Sequence, residues 1–95
     1  MELYDLLEAV HDQQSFLLFA RALLKERYDD TELEKKHHSD PLGPTHKGWA
    51  NTTLEGFLEA ALAWADASDF GAYQNIKDNA WYKFAVFLYC GKIYE

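Results

Sequence analysis

Three histidines and an aspartate fall within one short stretch, and their side chains could bind a metal ion. The stretch H-H-S-D-P-L-G-P-T-H-K-G contains His37, His38, Asp40 and His46 together with two prolines and two glycines. Imidazole and carboxylate groups together suit zinc. Adjacent histidines point in different directions, however, and no H-x-x-x-H pair on a helix supports them. We therefore predict solvated loop histidines and no metal site, with His37, His38 and His46 as candidate ligands in the alternative that the loop binds metal.

The other reactive side chains do not form a recognisable catalytic arrangement. Cys90 lies in an apolar segment, where a thiol is typically buried and inert. Glu55 and Glu59 are one helical turn apart on a face that the pattern predicts to be solvated. The sequence contains no G-x-S-x-G elbow, no H-E-x-x-H pair and no glycine-rich phosphate loop. We therefore predict no catalytic residue and no cofactor, and an enzyme using the His37–His46 loop remains the alternative.

Aromatic side chains make up 16% of the chain and are the remaining candidates for a binding surface. Tyrosine and tryptophan are favoured in protein interfaces, but they are also ordinary core residues. Trp64 and Trp81 lie within helical patterns, so we expect both of them in the core. The candidates for an interface are Trp49, Phe87, Tyr89 and Tyr94.

Composition indicates a single acidic domain. A chain of 95 residues, 48% of them hydrophobic, can support one modest core, so we expect one domain over residues 1–95. The formal charge of −7 disfavours nucleic acid and anionic membranes and permits a basic protein partner. The single cysteine excludes an internal disulfide. Without a signal-peptide pattern or an apolar run long enough to cross a bilayer, the expected location is the cytoplasm.

The segment from Trp49 to Ala67 carries the clearest helix pattern, and the other elements must pack around it. Asn51 and Thr52 suit a helix start, and Thr52 followed by Glu55 has the spacing of a capping box. Trp49 could pack back on the first turn. One face of this helix is predicted to carry Leu54, Phe57, Leu58, Ala61, Leu62 and Ala65.

Three further helices are predicted around this one. Residues 2–10 form a short helix, and Asp12 starts a second helix that extends to about Tyr28. Residues 29–48 form a long loop in which Thr31 and Glu34 could cap one extra turn. A second connection spans residues 68–79, and Asp78 or Asn79 can cap the final helix.

The final helix, over residues 81–90, is apolar nearly all round. Its aromatic and β-branched residues also suit a strand, but strict two-residue alternation is absent, so we predict a helix. A helix that is apolar on every side must be covered on more than one side. We therefore expect either a central helix surrounded by the other three or a helix shared with another chain in a homodimer or a partner groove.

Two sequence signatures resemble those of a family of small uncharacterised bacterial proteins, a domain of unknown function. The central signature runs from Trp49 through Asn51, Thr52 and Glu55 to Trp64, and the C-terminal one ends in G-K-I-Y-E. The resemblance implies no activity and no catalytic residue. It implies that the ending is docked on the domain, with Tyr94 buried or facing a partner.

The sequence therefore predicts an all-α domain of about four helices with a long loop between the second and third. The favoured function is that of a small cytoplasmic protein-protein interaction module, such as an immunity-type or regulatory protein. This hypothesis is based on the acidic charge, the lack of catalytic motifs and the abundance of apolar aromatic residues.

Overall fold

The chain folds into four α-helices and one short 3-10 turn in the computed structural model, which describes residues 2–41 and 43–94. The elements are α1 (Leu3–Glu8), α2 (Gln13–Lys36), α3 (Leu54–Ser68), the 3-10 turn (Ala72–Gln74) and α4 (Ala80–Ile93). Neither α2, with 24 residues, nor any other described helix has an apolar stretch sufficient to cross a membrane. The predictions of an all-α fold, of four helices and of a helix over 81–90 are confirmed.

The second helix begins as predicted but ends later. The Asp12 carboxylate accepts a hydrogen bond from the Ser15 N–H at 2.9 Å, and the Ser15 hydroxyl accepts one from the Asp12 N–H. The helix then continues eight residues past Tyr28 to Lys36. The predicted end was wrong because residues 29–36 contain no helix breaker and ion pairs along the helix, such as Lys25–Asp29, support them. The connection to α3 is therefore shortened to residues 37–53.

The helix α3 starts one residue later than predicted. The Thr53 hydroxyl, and not that of Thr52, accepts a hydrogen bond from the Gly56 N–H at 3.0 Å. Asn51 has a different role, because its side-chain amide donates to the carbonyl oxygens of Gly91 and Tyr94 at 3.0 and 2.9 Å. Asn51, three residues before the first residue of α3, thus closes the C-terminal end of α4.

The buried face of α3 is rotated away from the predicted leucine stripe. Its buried residues are Ala60, Ala61, Trp64 and Ser68. Leu54 is 68% exposed, and Leu58 and Leu62 are also exposed. The prediction that these three leucines face the core was wrong. Small residues let α4 approach closely: a Cβ atom at Gly91 would lie 2.7 Å from the Phe57 ring.

The helix α4 lies in the middle of the fold. It packs against α1, α2 and α3, whereas the backbone of α3 approaches neither α1 nor α2 in the described part of the chain. The Asn79 side chain caps its start by accepting from the Tyr82 N–H at 3.0 Å. This central position agrees with the first of the two interpretations of an all-round apolar helix.

The core forms between α4 and the helices α1 and α2. Its buried members are Leu7, Val10, Phe19, Leu23, Trp49, Tyr82 and Ala85. Trp64 is 2% exposed, as predicted, but Trp81 is 41% exposed. The prediction that Trp81 is a core residue was wrong because its position on α4 lies outside the area that the other three helices cover.

Candidate functional site

The histidine loop is tied to α2 and does not form a metal centre in the described residues. His46 Nε2 lies 3.1 Å from Glu34 Oε2, and the Ser39 hydroxyl donates to the same carboxylate. His37 and His38 are exposed. Among the described residues, no three histidine, cysteine, aspartate or glutamate side chains are close enough together to hold a metal ion. The observed contacts of this loop fasten it to the end of α2.

Cys90 and the acidic pair are placed apart from any reactive arrangement. The Cys90 side chain is 8% exposed, and burial raises the pKa of its thiol to about 11. A thiol with such a pKa is almost entirely protonated at neutral pH and is a poor nucleophile. Glu55 and Glu59 are exposed on α3 and form no ion pair within the described part of the chain.

A buried polar cluster surrounds Trp49, and its members satisfy one another. The Trp49 indole N–H donates to the Glu26 carboxylate at 3.0 Å, and Lys92 Nζ lies 2.6 Å from the same group. Arg27 stacks over the indole at 5.2 Å and pairs with Asp30 at 2.7 Å. Among the described residues, no buried side-chain nitrogen or oxygen atom is without a hydrogen-bond partner. We conclude that it anchors the α2–α3 connection.

The four predicted interface residues occupy different places. Trp49 is only 5% exposed, so it offers a partner almost no area. Tyr94 and Tyr89 are half-buried; burial raises the pKa of Tyr89, whose ring meets Tyr4 edge-on. Phe87 is half-buried between Phe70 and Phe84. Phe87 contacts Phe84 at a large exposed apolar surface, and Trp49 lines a cavity in the same surface.

One side of the molecule remains apolar and uncovered. The helix α4 contributes Trp81 and Phe84, which are 41% and 47% exposed, and the flanking helices add further side chains. We define the apolar face as Leu24 and Tyr28 of α2, Leu54, Leu58 and Leu62 of α3, and Trp81, Phe84 and Leu88 of α4. Consecutive aromatic contacts connect Trp81, Phe16, Phe84, Phe87, Phe70 and Trp64 in a single array beneath and beside it.

A shallow cavity of about 340 Å³ lies at one end of this face, between the start of α3, the middle of α2 and Leu88 near the end of α4. Helix α4 forms its floor through Leu88, while α2 and α3 form its walls through side chains such as Leu24 and Leu54. Most of its exposed lining is apolar, but Arg27, Asn51, Thr52 and Thr53 also line it. Such a surface is suited to binding apolar side chains together with a few polar groups.

The accessible surface is larger than a compact monomer of this size requires. The chain exposes 6327 Å², whereas a monomer of 11.0 kDa typically exposes about 5,600 Å². The Cα radius of gyration, 13.6 Å, likewise exceeds the roughly 12.4 Å expected for this length. The molecule is flat, with extents of 41, 28 and 18 Å. An excess of about 700 Å² of accessible surface accompanies this flat shape.

Sequence reasoning missed this face because it assigned the leucines to the core. The positions 54, 58 and 62 repeat every four residues, and so do 57, 61 and 65, so both sets look alike as a helical stripe. The alanines of α3 were the available signal, because closely packed helices favour small residues at their contact. That signal indicates which side of α3 meets α4.

Comparison with known proteins identifies a family and no activity. No curated protein and no solved structure gives a significant match. One family model, described as a family of unknown function (DUF7660), matches residues 12–95, which include α2, α3, α4 and the whole apolar face. The chain therefore belongs to this family of unknown function, DUF7660.

Proposed function

We propose that this chain is a non-enzymatic cytoplasmic protein-protein interaction module that binds through its apolar face. The observation that carries the proposal is the exposure of leucine and aromatic side chains on three helices, of which Leu24, Leu54 and Leu88 line one cavity. Contiguous apolar surface on a soluble domain typically marks a contact site. Burial of a half-exposed leucine contributes on the order of 1 kcal/mol, so the eight residues together can support a stable complex.

The charge distribution supports a protein rather than a membrane as the occupant. Glu55, Glu59 and Asp66 lie exposed next to the leucines of α3, and the net charge of the chain is −7. Both would repel anionic lipid headgroups and phosphates. An immunity-type or regulatory protein acting on a basic partner is one form of such a module that this charge permits.

Site-specific photo-crosslinking tests the proposal. A benzophenone amino acid replaces Leu58 on the apolar face, or Ala67 as the control, in protein expressed in the organism's own cells. The two positions are nine residues apart, about two and a half helical turns, so they lie on opposite sides of α3, and both are exposed. We expect a discrete adduct from position 58 and none from position 67. Equal labelling at both positions, or no adduct at position 58, would contradict the proposal.

A further inference from the structure

The apolar face has one basic edge and one acidic edge. Along α2, the exposed Arg21 and Lys25 follow the side chains that line the cavity. Along α3, the leucines are bordered by Glu55, Glu59 and Asp66 at the next helical positions. Lys25 pairs with Asp29 on its own helix, whereas Arg21, Glu55 and Glu59 form no ion pair within the described residues. Arg21 on one edge and Glu55 and Glu59 on the other therefore carry unpaired charges of opposite sign, while Lys25 would have to exchange or share its partner Asp29.

The two edges run antiparallel across α4. Phe16 contacts Trp81 near the start of α4, and Leu23 shares the cavity with Leu88 near its end, so α2 runs parallel to α4. Phe57, near the start of α3, packs on Gly91 near the end of α4, so α3 runs the opposite way.

This geometry sets which edge charges share a level. The cavity is lined by residues 20–27 of α2 and by Leu54 and Phe57 of α3, so these two stretches lie across it from each other. Both helices rise by about 1.5 Å per residue, so counting outwards from the middle of each stretch puts Arg21 near the level of Glu59. The same count puts Lys25 level with Glu55. Each positive side chain of one edge thus has a negative counterpart at the same height on the other.

We propose that the apolar face binds a second copy of this chain, with the two-fold axis parallel to α4. This inference rests on the proposed function, because it names the partner of the same face. The rotation places α2 of each copy against α3 of the other, so Arg21 meets Glu59 of the second copy and Lys25 meets its Glu55. Both contacts occur twice, as a self-complementary two-fold interface requires.

The edge charges select this orientation over the alternative. An axis perpendicular to α4 would also bring the two apolar faces together, but it would set α3 against α3 and oppose Glu55 and Glu59 to the same residues of the second copy. Like charges in contact disfavour such an arrangement. The net charge of −7 on each copy opposes association over longer distances, and physiological salt screens it beyond about 8 Å.

The size of the exposed surface agrees with a second copy as occupant. The chain exposes about 700 Å² more than a compact monomer of its mass, as calculated above. A standard-size interface buries about 800 Å² on each partner. A dimer of standard size would therefore bury, on each copy, an area close to this excess.

Sedimentation equilibrium of the purified full chain with charge-swap variants tests the inference. We expect a mass that rises from 11.0 kDa towards twice that value as the concentration increases. Arg21→Glu and Glu59→Arg should each weaken association about tenfold, because each reversal occurs twice per dimer. The double variant R21E/E59R should return to within about threefold of the parent affinity. Lys36→Glu, which changes an exposed charge far along α2, is the matched control.

Three results would overturn the inference. One is an 11.0 kDa mass at every concentration up to the high micromolar range. Another is a dimer whose affinity is unchanged by Leu58→Glu, which would place the interface elsewhere. The third is a failure of the double variant to recover when circular dichroism shows it folded. A monomer that still crosslinks from position 58 to a different protein would overturn the second copy as partner while supporting the proposed function.

Discussion

The side chains of Trp49, Asn51 and Lys92 hold the α2–α3 connection against both neighbouring helices. Trp49 and Lys92 share the Glu26 carboxylate, and Asn51 donates to two carbonyl oxygens at the end of α4. The partners lie 23 to 66 residues apart in sequence, from Trp49–Glu26 to Lys92–Glu26, which is why no local pattern indicates them. Trp49, Asn51 and Lys92 therefore serve the fold in this chain.

Cys90 should be protected from alkylation in the folded protein. Burial raises the pKa of its thiol to about 11, so at pH 8 it holds far less thiolate than an unfolded chain with a pKa near 8.5. We expect iodoacetamide to modify native Cys90 at least about 100-fold more slowly than the urea-unfolded protein. Mass spectrometry of timed samples measures both rates. Similar rates in the two states would show that the thiol is accessible.

Tyr82 should make the folded state sensitive to alkaline pH. Burial, followed by its hydrogen bond to the Glu8 carboxylate at 2.8 Å, raises the pKa of the phenol to about 12. Because the folded pKa exceeds the unfolded value of about 10, this contribution is fully present below pH 10 and is lost as pH rises towards 12.

Urea unfolding at pH 8, 10 and 11 measures this dependence. The stability difference between the parent protein and Tyr82→Phe should shrink as the pH rises, because only the parent loses the contribution of the phenol. A difference that stays constant over this range would contradict the raised pKa. Tyr73→Phe, at an exposed position, is the control.

At the level of elements, the start of a helix can be predicted from a single capping side chain, whereas the face that the helix buries cannot. Asp12 and Asn79 cap their helices as their local sequence predicts, because a cap needs only the next three residues. Thr52 and Thr53 are both suitable caps for α3, and the chain uses the second. The choice depends on where the preceding segment is held, and Asn51 is fixed by the distant end of α4.

Substitution of the two threonines distinguishes the predicted cap from the observed one. Thr53→Ala removes the acceptor of the Gly56 N–H and should lower the free energy of unfolding by about 1 kcal/mol. Thr52→Ala should change it by less than about 0.5 kcal/mol, because this exposed residue makes no capping bond. Thermal or urea unfolding measures both. A larger loss for Thr52→Ala would place the cap at the originally predicted residue.

For the molecule as a whole, the sequence could predict four helices and a final helix covered on more than one side, but not which surface stays uncovered. The length, the spacing of apolar residues and the caps indicate the helices and their order. The exposure of Leu54 and Trp81 depends on which helices lie side by side. Several such placements are compatible with the same spacing of apolar residues along each helix. A flat layout with α4 between α2 and α3 leaves one side of all three helices open.

Truncation of leucines on and off the apolar face should separate surface from core. Leu58→Ala should cost less than about 1 kcal/mol at low micromolar concentration, because the side chain is already 44% exposed in the single chain. Leu23→Ala removes a core side chain and should cost about 2–5 kcal/mol. Urea unfolding at matched protein concentrations compares them. A core-like loss for Leu58→Ala at these concentrations would mean that α3 is rotated relative to the structure described here.

The three indoles of this chain lie in unequal surroundings, and this gives the protein an intrinsic optical signal. Trp49 and Trp64 are enclosed, while Trp81 is open to solvent at one end of α4. Collisional quenching of tryptophan fluorescence by acrylamide should therefore act mainly on Trp81. The Trp81→Phe variant, which lacks this indole, is the control. Any molecule that covers this end of α4 will shield the one accessible indole, so its binding can be followed by tryptophan fluorescence without an attached dye.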